Sequence, residues 1–358
     1  MSTQDGTEAE NTKKITELFD ELEYSDKDAQ KQKIGKVNIL MSEMDKEEFK
    51  LVFTKELFDN INKMIEEKKI SMDNALVLLN RIGYWIKLKG LWRYSFKDSL
   101  LCKRLKKMIE EEKKKEGKNE KLLTDLCECY FFLSYDLTTE MLSICVPCLL
   151  KVAMNKDESK EAQKEVEMAL LALSNIGWEE LDKEQYFNEI KEIIEYHQEH
   201  QNLTRLAYQS AWFFLLCRLN DDKSLEEVIV NELHFAREAA RELEELAKNV
   251  NWKRKEEEER GKDTKNERIF VMWLKIFDWY FRLCELQNEG NIGLICSLVQ
   301  VLREATGYRI IVHLCILCLS RAVENRAVEI VDLFESGAID LILENIHQAI
   351  FDDVERRR

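Results

Sequence analysis

The sequence predicts an all-α fold of stacked helical repeats, an α-solenoid, and three observations carry that expectation. The first is a shortage of turn residues. The 358 residues include one Pro and 11 Gly, where average usage would give roughly 18 and 25. All-β folds need Gly- and Pro-rich turns, and nucleotide-binding loops need Gly cradles. The second is helical periodicity. Val166, Ala169, Leu170, Leu173 and Ile176 fall at i, i+3, i+4, i+7 and i+10, one face of a helix. The third is spacing. Dense apolar helices recur at about 73–85, 122–135, 164–177, 203–219, 267–286 and 308–323. Most intervals from start to start lie in or near the ~40–47-residue range of helical solenoid repeats.

In chain order, residues 1–12 are polar and acidic, with Asp5, Glu8 and Glu10. They hold no apolar stretch, so a disordered tail and no secretory leader are expected there. Residues 13–70 are expected to form a helical N-terminal cap, and residues 71–351 the repeat array. Several core helices are apolar almost all round, as at 212–217 and 310–315. Such helices must be covered on most sides, which here means by the next repeat. Amphipathic helices alternate with them at about 139–154, 184–199, 225–249 and 338–351. Ser224 and Glu227 have capping-box spacing at the start of one. Charged segments at 110–121, 155–164 and 253–268 each precede a core helix. Insertions at one phase of a stacked array emerge along one edge. Residues 352–358 end in a basic tail, Arg356 to Arg358.

Bulk properties narrow the function. The formal charge is −15, which opposes general nucleic-acid binding because phosphate contact needs a basic footprint. A basic protein partner fits that charge better. The longest run without a charged residue is residues 290–302, shorter than the about 17–25 residues of a spanning helix. Ten Cys, mostly inside apolar runs, behave as small hydrophobes. They suit a reducing compartment, cytoplasmic or nuclear.

The residues 169–176, ALLALSNI, resemble the end of the third repeat helix of the armadillo family, whose usual form is AxWALSNI. The residues 334–342, FESGAIDLI, are similar to its second-helix start, and 290–295 is a poorer copy. The resemblance spans about 71–351. It implies a right-handed superhelix of about six three-helix repeats, whose third helices line a groove for extended peptides or partner proteins. In the nuclear import adaptors of that family the groove uses a Trp–Asn pair in each repeat. This sequence has Asn175 with Leu171 at the Trp position, Trp212 with Leu216 at the Asn position, and Asn80 with Leu76. The resemblance thus implies Asn80, Asn175 and Trp212 as protein-binding residues. The basic arm of the import adaptors is missing, since residues 1–30 hold nine acids against three Lys.

Other constellations are weaker. Cys145/Cys148 and Cys315/Cys318 have Cys-x-x-Cys spacing. Zinc needs four ligands, however, and both pairs sit on apolar helices, as buried thiols do. His197 and His200 have no evident third ligand. No Walker, Gly-x-Gly-x-x-Gly, Gly-x-Ser-x-Gly or His-Glu-x-x-His motif occurs. No enzyme activity, cofactor or metal is therefore expected. Residues 81–97 are the most distinctive segment. Arg81, Lys87, Lys89, Arg93 and Lys97 interleave with Tyr84, Trp85, Trp92, Tyr94 and Phe96. Cations among aromatics suit an anionic ligand, nucleic acid or lipid headgroup, and equally suit packing with Lys stems along apolar surface. Within that segment Arg81, Trp85, Lys87, Lys89, Trp92, Arg93 and Lys97 are the candidate anionic-ligand residues. The expected function is a non-enzymatic scaffold or adaptor binding one or more proteins, including extended or basic peptides. The alternatives are a divergent nuclear-transport receptor and an anionic-ligand binder acting through 81–97.

Overall fold

The structure, a computed structural model, describes residues 4–44, 46–88, 96, 98–117, 119–134, 138–174, 186–201, 203–216, 226–249, 265–283, 289–305 and 308–345. Among these residues the fold is all-helical and no strand occurs. The helices are α1 (Gln4–Leu22), α2 (Lys27–Glu43), α3 (Lys46–Val52), α4 (Lys55–Glu66), α5 (Met72–Leu88), α6 (Leu100–Lys114), α7 (Glu120–Leu133) and α8 (Thr139–Ala153). They continue with α9 (Lys160–Leu173), α10 (Phe187–His200), α11 (Arg205–Leu216), α12 (Phe235–Asn249), α13 (Lys265–Leu283), α14 (Glu289–Glu304), α15 (Arg309–Glu324) and α16 (Ile330–Glu335). A π-helical turn, Val228–Glu232, precedes α12. No described helix is long and apolar enough to cross a membrane.

A Pro- and Gly-poor chain marks its helix starts with polar caps instead. Ser99, Asn119, Thr138 and Ser159 each accept a hydrogen bond from the amide three residues on, opening α6, α7, α8 and α9. Each such cap contributes about 1 kcal/mol.

The chain forms two compact units, Met1–Asp182 with Asn202–Ala207, and Lys183–Gln201 with Tyr208–Arg358. In the first, helices pack on their neighbours and on the helix two places along. One run is α2, α5, α7 and α9, and another is α4, α6 and α8. Asn74 of α5 ties the start of the first run, donating to Gln30 Oε1 and the Lys27 carbonyl of α2, both at 3.0 Å. The α5–α7 contact is very close. A Cβ placed on Gly83 would lie 2.3 Å from Cβ of Phe132, so only glycine lets the two backbones approach this far. The second unit repeats the rule, with α13 on α15 and α12 on α14. Its core is aromatic: Trp212 lies 4.8 Å from Phe235, and Phe235 lies 4.4 Å from Tyr280. In both units a core thiol donates to a carbonyl of the preceding core helix, Cys129 to Leu76 and Cys318 to Leu274.

The six expected core helices coincide with α5, α7, α9, α11, α13 and α15. Between α5 and α7, α7 and α9, and α13 and α15 the described residues hold one full helix each, α6, α8 and α14. The expected repeat has three helices. Two of about 15 residues, with their loops, already occupy an interval of about 40. The segment 110–121 is shared between the end of α6 and the start of α7, and 155–164 runs into α9. Residues 253–264 and the tail 352–358 lie outside the described residues. α1 takes in residues 4–12, expected as a disordered tail.

A mixed-charge cleft in the first unit

One face from each of four helices, with Lys113 near the end of α6, lines a cleft of about 1000 Å³ in the first unit. α5 supplies Val77, Asn80 and Arg81, and α7 supplies Lys121, Thr124, Asp125 and Glu128. α8 supplies Ser143, Ile144, Pro147 and Cys148, and α9 supplies Lys164, Glu165 and Met168. The spacings i, i+3 and i+4 place these residues together on each helix.

Glu128 is the most costly group in the cleft. It is 5 % exposed, and a carboxylate this deep needs a compensating partner. Asn80 Nδ2 donates to its Oε2 at 3.2 Å. Among the described residues no hydrogen bond reaches Oε1. Asn80 in turn accepts from the Cys129 thiol at 3.0 Å. Burial drives the Glu128 carboxyl well above the usual range, and Asp125 and Glu165 add to the shift. Burial also raises the carboxyl of Asp125, and the nearby Lys121 ammonium opposes the rise. At the rim Lys121 pairs with Glu165 at 3.2 Å, and Lys151 with Glu120 at 2.7 Å. Asn80→Ala strips Glu128 of its donor and Cys129 of the nearer of its two acceptors, leaving the Leu76 carbonyl. The expected loss is about 1–3 kcal/mol, read as a lower urea midpoint at unchanged slope.

The one proline of the chain lies in the wall. Pro147 stands inside α8 and has no N–H to give the carbonyl of Ser143 four residues back. Ser143 and Pro147 are both exposed and both line the cleft, so the helical hydrogen bond that α8 lacks falls in the cleft wall. Sequence reasoning does not single out Pro147, Asp125 or Glu128 as site residues. A signal for the first is present: a proline within an apolar helical pattern costs about 3 kcal/mol or more.

Of the sequence candidates, Asn80 and Arg81 line the cleft. Trp85, one turn on, is half-buried and gives its indole N–H to Asn38 at 3.0 Å. Lys87 lies in α5 with its side chain outside the described residues, and Lys89, Trp92, Arg93, Lys97 and Asn175 lie wholly outside them. Trp212 is fully buried in the second unit, packed on Tyr208 and Phe235. The thiols of Cys315 and Cys318 are buried and pushed upward by burial. Cys145 is buried and Cys148 half-buried, with its Sγ 3.4 Å from Thr124 Oγ1. Among the described residues no group of three or more His, Cys, Asp or Glu could hold a metal ion. His197 is buried with its ring 4.3 Å from that of Tyr208, and His200 stacks on Tyr196. No protein-family model matches the sequence, and no curated protein matches it.

Proposed function

We propose that the protein is a non-enzymatic docking scaffold of the armadillo/HEAT-like helical-repeat type, working in the cytoplasm or nucleus, with the four-helix cleft as its docking site. The observation that carries this reading is the way the cleft is built. Four helices each contribute one face, and within it the buried Glu128 has one oxygen that no hydrogen bond reaches among the described residues. Stacked helical repeats form extended binding surfaces of this kind. The packing of α5 on α7, α7 on α9, α12 on α14 and α13 on α15 supports a solenoid within each unit.

The test replaces Met168, which is half-buried in the cleft wall, with Glu. Partners cross-linked to the intact protein in its own cells are identified by mass spectrometry. Met168→Glu is expected to lose at least one of them about tenfold or more while its melting temperature stays within a few degrees. A partner set that survives Met168→Glu unchanged would remove the cleft from the docking role.

A further inference from the structure

We infer that the cleft binds an aliphatic ammonium group, its stem against Val77, Ile144, Pro147 and Met168 and its head on Glu128. The inference rests on the docking reading above and gives that site its ligand chemistry.

The deepest acid of the cleft accepts one hydrogen bond from a neutral amide, and no cation among the described residues pairs with it. Glu128 lines the cleft opposite α8, whose exposed Pro147 has no N–H to offer. Once ionised, Glu128 keeps an oxygen that no donor reaches among the described residues, so the missing group is a donor. A neutral donor would leave the charge of Glu128 buried and uncompensated, whereas an ammonium satisfies both hydrogen bonding and charge. An ammonium brings three donors on a compact head and a flexible methylene stem. The stem matches the apolar lining, which a bare inorganic cation would leave uncovered. Arg81, Lys113 and Lys164 also line the cleft, but its five cations face five acids, and Lys121 and Lys151 are held by Glu165 and Glu120, so the lining carries no net positive charge against such a ligand.

Binding is linked to protons. The groups acting on Glu128 are Asp125 and Lys121 on its own helix, Glu165 on α9 and Cys148 on α8; the cleft lining adds Glu120 on α7, Arg81 on α5, Lys113 on α6, Lys151 on α8, and Glu161 and Lys164 on α9. Asp125 and Glu165 oppose its ionisation and Lys121 favours it. An arriving ammonium adds to the second side, so a proton leaves Glu128 as the ligand enters. Affinity then rises with pH, by at most about tenfold per unit for one proton released.

Two ligands carry this head and stem, free polyamines and lysine side chains of a protein. Isothermal titration of the full chain with spermidine and with a capped (Lys-Gly)4 peptide separates them. Each titration is run at pH 6 and pH 8, in two buffers of different ionisation enthalpy. The expected result is binding of at least one probe below ~1 mM, tighter at pH 8, with net proton release. Glu128→Gln keeps the Asn80 bond and should weaken binding about tenfold or more at pH 8. Asp125→Asn is a second variant should the first not fold. Binding of spermidine alone assigns a free polyamine, and binding of the peptide assigns a protein lysine. Failure of both probes, affinity indifferent to both variants, or heats that do not change with buffer would overturn the inference. If that happens while Met168→Glu still loses a partner, the docking cleft stands and only its ligand chemistry is removed.

Discussion

Gly83→Ala is expected to destabilise the protein by about 1–3 kcal/mol, although alanine is the better helix former. In an open helix the change would gain close to about 1 kcal/mol. Here the new Cβ meets Cβ of Phe132 at 2.3 Å, its Cγ at 3.1 Å and its Cα at 3.5 Å. Atoms at the root of a side chain cannot swing aside, so α5 and α7 must separate by about an ångström. Overpacking of that kind typically costs about 1–3 kcal/mol and occasionally more, and the helix-propensity gain offsets only part of it. Truncating Phe132 to Ala leaves its Cβ in place and should not rescue the variant. Gly35→Ala is the control. Gly35 is exposed on α2, with nothing within 4 Å of the place a Cβ would take, so it should gain stability, up to about 1 kcal/mol. Urea unfolding of the two variants decides the matter. Equal effects of the same sign would mean that α5 and α7 are not in backbone contact at Gly83.

How far this was legible in the sequence depends on the period of the signal. The six core helices show as apolar runs with helical spacing, and all six lie where the pattern puts them, because an all-round apolar helix has no other place to go. Asn80 was also legible, through its place in a repeat-like pattern. The number of helices per interval was not. A spacing of about 40 residues accommodates two long helices or three shorter ones, and nothing in the spacing itself separates those cases. Asp125 and Glu128 were hidden for a different reason. The sequence TDLCEC reads as one more helix with scattered acids among many, and the cost of an acid depends on burial, which comes from α5, α8 and α9. Gly83 is similar: a lone glycine in a helix marks close approach only once the opposing helix is known.

Glu128→Gln is expected to raise stability at pH 8 by about 1–3 kcal/mol and to flatten its dependence on pH. The folded-state carboxyl sits well above its ordinary range because it is buried, whereas in the unfolded chain it titrates at about 4.3. Between those two values the folded state keeps a proton that the unfolded state has released. Stability therefore falls as pH rises through that window, by at most about 1.4 kcal/mol per unit for this one proton. Asp125, also raised by burial, acts in the same direction. The carboxyls of Glu21, Asp59 and Glu66 act in the opposite one. Hydrogen bonds from Lys33, Lys55 and Arg104 hold them low, and their contribution is lost only as pH drops below the ordinary carboxylate range. Unfolding measured from pH 5 to pH 8 thus isolates the buried pair. Gln keeps an oxygen for the Asn80 donor and removes the charge, so the variant should show a smaller fall across that range than the intact protein. A slope unchanged by Glu128→Gln would mean that this carboxyl is solvated and that the floor of the cleft is open to water. A stabilising substitution at a residue that lines a binding cleft is the signature of a group kept for its ligand at a cost to the fold, and here the same variant that gains stability should lose the ammonium.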